Sequence, residues 1–170
     1  APAYFSPGQW RLFANYLSKH GHLVDGGGAE ALGGATASEL EAVLMSAIVW
    51  GYNLLSRISC SNGLVTNWWT LPASKHSWPW EADGSSANGL KCHNSATEAG
   101  AYGPDAVRIP WRVALDYLWY PSETAATPLY DEGGMQIGTF GAQEYSNRWA
   151  RAWRKAVREG SDFDGAPPHA

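Results

Sequence analysis

An apolar segment bounded by Pro110 and Pro121 sets the strongest limit on how this chain can fold. Proline is tolerated in the first turn of a helix but costs about 3 kcal/mol in a helix interior. The spacing therefore predicts a helix that begins near Ile109 and is stopped by Pro121. Because apolar residues occupy most sides of this helix, we expect it to be buried. These residues are Ile109, Trp111, Val113, Leu115, Leu118 and Trp119.

A carboxylate and a guanidinium, those of Asp105 and Arg108, precede this helix. One interpretation is that Asp105 caps the helix and Arg108 is its ion-pair partner. Pro110 counts against that cap, because Pro110 would then fall inside the helix. The other interpretation is a functional site, since both charged groups are costly to desolvate at the mouth of a buried helix.

Composition limits the possible partners. The chain has 170 residues, which predicts one domain, and a net charge of −4 argues against a nucleic-acid partner. No run of residues is long and apolar enough to predict a membrane span. A basic cluster near the C-terminus has helical spacing and is interpreted as a solvated helix face. Its members are Arg148, Arg151, Arg154, Lys155 and Arg158.

Aromatic residues are abundant, with ten Trp and eight Tyr. An excess of Trp and Tyr beside few charges suggests stacking platforms for carbohydrate, and a large packed interior is the alternative. The long segment 59–103 has no helical pattern, and loops of this length are usually functional. Its tryptophans either form a sugar-binding rim or cover the helix ends beneath them. They are Trp68, Trp69, Trp78 and Trp80.

The two cysteines, Cys60 and Cys92, both stand in loop-like sequence. An even count in loops predicts one disulfide in a secreted protein, with two free thiols as the alternative. Residues 1–3 resemble a cut or processed end, which is expected if a signal peptide was removed or was never included in the sequence. The predicted location is therefore extracellular or periplasmic.

The remaining chain predicts further helices over residues 7–20, 37–58 and 140–158, which makes the fold class all-α. Residues 36–39 form a capping box before the second helix. The cluster of His20, His22 and Asp25 is interpreted as a helix end, with a metal site as the alternative. No cofactor is predicted. Residues 1–160 are assigned to one domain and residues 161–170 to a flexible tail.

Three segments resemble glycoside hydrolase family 8. Residues 3–7 read A-Y-F-S-P and resemble the family motif S-Y-F-A-P. Residues 63–68 read G-L-V-T-N-W and resemble the family motif G-L-V-P-D-W. Residues 105–112 read D-A-V-R-I-P-W-R and match the signature D-A-x-R-x-P-W-R. The resemblance implies the C-terminal part of a secreted, inverting β-1,4-glycan hydrolase. Its fold would be about half of an (α/α)6 barrel with long aromatic loops at one end.

The resemblance also implies roles for individual residues. Asp105 matches the general base that activates water, and a nearby guanidinium such as that of Arg108 would lower the pKa of this carboxyl. Substrate-binding positions implied in the same way are Tyr4, Trp10, Trp68, Tyr102 and Arg108. The chain departs from the family pattern at three positions. These are Gln9, Asn67 and Pro104, where the family has mostly Trp, Asp and Tyr.

The family's general acid is a Glu on a helix that precedes these three segments, and no matching motif occurs in the chain. Half a barrel would expose the inner faces of its helices, so we expect either a second chain that supplies the N-terminal half of the barrel or a second copy of this chain to cover them. Three functions remain open from the sequence. They are the base-bearing half of a β-1,4-glycan hydrolase, a non-catalytic carbohydrate binder, and a structural assembly protein.

Overall fold

The computed structural model describes residues 4–25, 33–59, 65, 106–124, 127–131 and 134–159. Most of these residues are helical, and two short strands form a small sheet. The elements in chain order are α1 (Pro7–Asp25), α2 (Ala37–Ile58), α3 (Arg108–Trp119), α4 (Pro121–Thr124), β1 (Pro128–Tyr130), β2 (Gln136–Thr139) and α5 (Ala142–Glu159). The predicted all-α class therefore holds in outline, and the barrel stays a prediction.

The four predicted helices are confirmed, with one clear difference in length. Helix α1 was expected to stop at Gly21 but continues to Asp25 past non-helical backbone angles at His20. Gly21 is a packing position, because a Cβ there would lie 2.7 Å from the Cβ of Ala37 on α2. The glycine therefore lets two helices approach closely, and it does not end the first one.

The capping box of α2 is present, and a side chain from α1 reinforces it. The hydroxyl of Thr36 accepts from the backbone N–H of Glu39, whose carboxylate accepts from the Thr36 N–H. Hydrogen bonds from the backbone and then the side chain of Thr36 lower the pKa of Glu39. Asp25 accepts from the N–H of Ala37 at 2.8 Å, which ties the end of α1 to the start of α2.

Helix α3 begins at Arg108, so Pro110 lies in the first turn, where a missing N–H costs no helical hydrogen bond. Its N-cap residue is Val107, which supplies no side-chain cap. Ile109 and Val113 are buried as predicted. The prediction that most sides of this helix are buried is wrong, because three of its large apolar side chains stay exposed. They are Trp111 at 51% exposure, Leu118 at 73% and Trp119 at 45%.

A β-hairpin follows α4. Strands β1 and β2 pair antiparallel, with Leu129 opposite Gly138, and the register shifts between Leu129 and Tyr130. Gly134 has a positive φ of 79° in the connection, a conformation that favours glycine. Strands of three and four residues are too short to carry an alternating pattern, so the sequence did not predict them.

The core joins α2, α3, the start of α5 and residues next to these elements. Tyr145 of α5 and Phe140 before it are buried. Three arginines of the basic cluster, Arg151, Arg154 and Arg158, are exposed, which confirms their solvated face. None of the helices in the described part of the chain is long and apolar enough to cross a membrane.

Candidate functional site

The most strongly organised polar group among the described residues is a buried ion pair between α1 and α3. Arg11 donates from Nε to Oδ1 of Asp116 at 3.1 Å and from its terminal nitrogen to Oδ2 at 3.4 Å. Arg11 is 4% exposed and Asp116 is not exposed at all. The two-pronged contact is the geometry in which a guanidinium binds a carboxylate best.

A third helix joins the pair through Tyr52 of α2. The Tyr52 hydroxyl donates to Oδ2 of Asp116 at 2.7 Å. Burial raises the pKa of Tyr52 well above its ordinary value, and the charge of Asp116 and this hydrogen bond raise it further, while Arg11 opposes them. Tyr52 therefore stays protonated and acts as a donor. One carboxylate thus connects three helices.

The sequence contained a signal for this cluster that the predictions did not use. Arg11 stands on the face of α1 that also buries Pro7 and Ala14, at spacings of four and three residues. Asp116 follows Ile109 and Val113 on the buried face of α3. A charged residue in register with the apolar face of two separate helices indicates a buried pair, because an unpaired charge there would be very costly.

This cluster is closed to ligands. Its three side chains are all buried, and the guanidinium of Arg11 also lies over the ring of Tyr120, 5.8 Å from the centroid. A substrate could reach the carboxylate only if the helices separated. The cluster therefore acts as a structural junction, and the candidate chemistry lies elsewhere.

The predicted site residues are only partly within the described residues. Asp105, Tyr102, Trp68, Cys60 and Cys92 all lie outside them, so the base, the loop tryptophan and the disulfide stay predictions. Arg108 is the first residue of α3 and is half-buried.

Tyr4 and Trp10 flank the start of α1. Tyr4 is 65% exposed, as a side chain that stacks on a sugar must be. Trp10 is half-buried and packs edge-on against Phe5, with ring centroids 5.5 Å apart. The Phe5 ring in turn meets Tyr52 at 5.0 Å. Trp10 therefore contributes to the core as well as to the surface.

The described contacts do not bring Tyr4 or Trp10 beside Arg108. The first turn of α1 meets α3 at Asp116, where a Cβ on Gly8 would lie 3.2 Å from the Asp116 backbone. Arg108 is eight residues earlier in α3, about 12 Å along a helix axis. If these residues share one cleft, they serve different parts of an extended ligand.

The cluster of His20, His22 and Asp25 has a structural explanation, because Asp25 caps α2 and the His20 ring packs against Tyr16 at 4.8 Å. Within the described ranges, no group of three or more His, Cys, Asp or Glu side chains is placed to hold a metal ion.

Comparisons with protein-family models, with curated proteins and with solved structures gave no match. The resemblance to glycoside hydrolase family 8 therefore depends on the three sequence segments alone.

Proposed function

We propose that this chain is part of a secreted or periplasmic inverting β-1,4-glycan hydrolase, in which Asp105 is the general base. The observation that supports this most directly is the start of α3. The helix begins at Arg108, three residues after Asp105, with Pro110 in its first turn. The described part of the segment that matches the family signature, residues 106–112, is thus a turn followed by the start of a helix, with Arg108 at the first helical position.

Physical chemistry supports a base at this position. In an inverting mechanism one carboxyl must be ionised to activate water while the other is protonated. The N-terminal end of a helix carries a partial positive charge that favours a nearby carboxylate, and Arg108 adds a full one. Val107 supplies no side-chain cap, so no side chain of the N-cap residue competes for this end of α3.

The exposed apolar face of α3 supports a second component. Trp111, Leu118 and Trp119 are between 45% and 73% exposed, and large contiguous apolar patches usually mark interaction sites. We propose that a second chain, or a second copy of this one, covers this face and completes the barrel. The segment that supplies the general acid would belong to that assembly.

The test compares wild type with Asp105→Asn, each assayed with the acid-bearing segment added. The substitution keeps the shape of the side chain and removes its basicity, so hydrolysis should fall about 100-fold or more while sugar binding is retained. Glu123→Gln is a matched control, because Glu123 is an exposed acid on α4. The readout is the release of reducing ends, with the anomeric form of the first product followed by NMR.

Three outcomes discriminate between functions. Loss of activity in Asp105→Asn but not in Glu123→Gln, with an inverted first product from wild type, supports the proposal. Equal activity in wild type and Asp105→Asn would place the base elsewhere. Bound sugar without hydrolysis in either chain would favour the non-catalytic carbohydrate binder.

A further inference from the structure

A cleft of about 420 Å³ lies between the hairpin and α5. Its volume falls within the range of about 300–1,000 Å³ that small-molecule sites occupy. Ser56 of α2 borders it, and Leu129, Phe140 and Gly141 form its apolar part. The polar side chains around it are those of Thr139, Gln143, Glu144, Asn147 and Arg148.

The cleft is rigidly bounded. Asn53 donates to the Pro128 carbonyl at 2.8 Å and accepts from the Tyr130 N–H at 2.8 Å, which fixes β1 on α2. Arg57 donates to the Tyr130 carbonyl at 2.7 Å. On the other side Gly141 lies so close to the Thr124 carbonyl that no side chain would fit between them. A preformed site of this kind loses little conformational entropy on binding.

The charges of the cleft compensate each other. Arg148 pairs with Glu144 at 3.3 Å, and its guanidinium lies over the Phe140 ring, 4.8 Å from the centroid. The Glu144 carboxylate beside Arg148 would repel a bound anion, and the Arg148 guanidinium beside Glu144 would repel a bound cation. The cleft therefore disfavours ions of either sign.

The hydrogen-bonding groups match hydroxyls. Gln143 and Asn147 stand one helical turn apart on α5, and each amide offers both donors and an acceptor. A hydroxyl also donates and accepts, so a row of hydroxyls can satisfy both amides. Glu144 and Arg148 add a charged acceptor and a charged donor, which form stronger hydrogen bonds than neutral groups do.

We propose that this cleft binds an uncharged polyhydroxylated ligand with the chemistry of a neutral sugar, one or two rings in size. The hydrogen-bonding side chains of the proposed site stand on α5, so it would hold a glycan independently of hydrolysis. None of its described lining residues belongs to α3, the helix that Arg108 begins.

The experiment is a titration of the ¹⁵N-labelled chain with cellobiose, followed through backbone amide shifts. We expect shifts at Gly138, Gly141 and Asn147. The double variant Gln143→Ala/Asn147→Ala should weaken binding at this site at least about fivefold, because both hydrogen-bonding amides are lost. Both side chains are exposed, so the variant should fold. Asn15→Ala, an exposed amide on α1, is the matched control and should leave the Kd unchanged.

Two further arms define the ligand class and separate this site from the catalytic one. Glucuronate and glucosamine, which carry a charge, should bind more weakly than cellobiose. Asp105→Asn should leave the shifts and the Kd of the cleft unchanged, whatever it does to hydrolysis. Three outcomes would each overturn the proposal. They are the absence of cellobiose-induced shifts at the cleft amides, an unchanged Kd in the double variant, and tighter binding of a charged sugar than of cellobiose.

Discussion

Arg11 and Asp116 form an ion pair across 105 residues of chain in an interior from which solvent is excluded. Removing two charges from water is costly, and a well-packed apolar pair of the same size is often as stable or more so. The pair nevertheless requires the two side chains to stay in contact, because either charge left without its partner in the interior would carry the whole desolvation cost. It therefore fixes how α1 sits on α3.

The first prediction is that Asp116→Asn destabilises the protein by about 3–5 kcal/mol, the range for removing one partner of a buried pair. The cost arises because the Arg11 charge stays in the interior without a counter-charge. Urea unfolding followed by circular dichroism measures the change in the free energy of unfolding.

Two controls make this prediction specific. Glu144→Gln breaks the exposed pair with Arg148 one helical turn away and should cost about 0.5 kcal/mol or less. The double variant Arg11→Met/Asp116→Leu removes both buried charges and should recover much of the loss. A double variant as unstable as Asp116→Asn would show that the hydrogen bonds of the pair, and not its charge, stabilise the interface.

The second prediction concerns alkaline pH. Because the pKa of Tyr52 is raised in the folded protein, an unfolded chain releases its proton first, near the ordinary value of 10.0. Unfolding above that pH is therefore coupled to proton release, so stability falls as pH rises, by about 1.4 kcal/mol per pH unit for this one group. Below pH 10 the contribution is complete.

The variant Tyr52→Phe tests this coupling. It should lose about 1.5–3 kcal/mol at neutral pH, because the hydrogen bond to the Asp116 carboxylate is gone. It should also have a shallower decline of stability above pH 10 than wild type. Tyr16→Phe, at an exposed position, should change neither quantity. Parallel alkaline profiles for wild type and Tyr52→Phe would contradict the assignment.

The third prediction is that Gly141→Ala destabilises the protein by about 3 kcal/mol or more. A Cβ at this position would overlap the carbonyl group of Thr124, and a backbone carbonyl cannot rotate away as a side chain could. Gly138→Ala is the control, since a Cβ there meets nothing within 4 Å and should change stability by about 0.5 kcal/mol or less. Similar thermal melting of the two variants would contradict the close packing.

The helices could be predicted because their signals are local. Thr36 and Glu39 stand at the spacing of a capping box, and Pro110 and Pro121 mark the two ends of α3. Each signal depends on backbone geometry within a few residues. For the same reason the bounds of α2 agreed with the prediction to the residue.

Contacts between distant segments could not be predicted in the same way. The bond from Tyr52 to Asp116 joins residues 64 apart, and Asn53 reaches Tyr130 across 77. Apolar periodicity also predicted too much burial for α3, because the pattern indicates which residues can be buried and not which other elements pack against them. Trp111 and Leu118 are apolar and exposed, whereas Asp116 is charged and buried.

The last prediction is that Asn53 holds the hairpin on α2. Its amide donates to the carbonyls of Val49 and Pro128 and accepts from the N–H of Tyr130, and the side chain is fully buried. Asn53→Ala leaves the Tyr130 N–H and the Pro128 carbonyl without these partners. We expect a loss of about 2–4 kcal/mol, the cost of two buried polar groups left unsatisfied.

The measurement for Asn53→Ala is amide hydrogen exchange. Exchange should speed up at Tyr130 and at Phe140, whose N–H donates to the Thr127 carbonyl at 2.9 Å across the hairpin, because both hydrogen bonds open when β1 leaves α2. The amide of Tyr120, whose N–H donates to the backbone carbonyl of Asp116 at the end of α3, should keep its protection. Equal acceleration at Tyr120 would mean that the hairpin unfolds only with the whole core, and that Asn53 is not a local anchor.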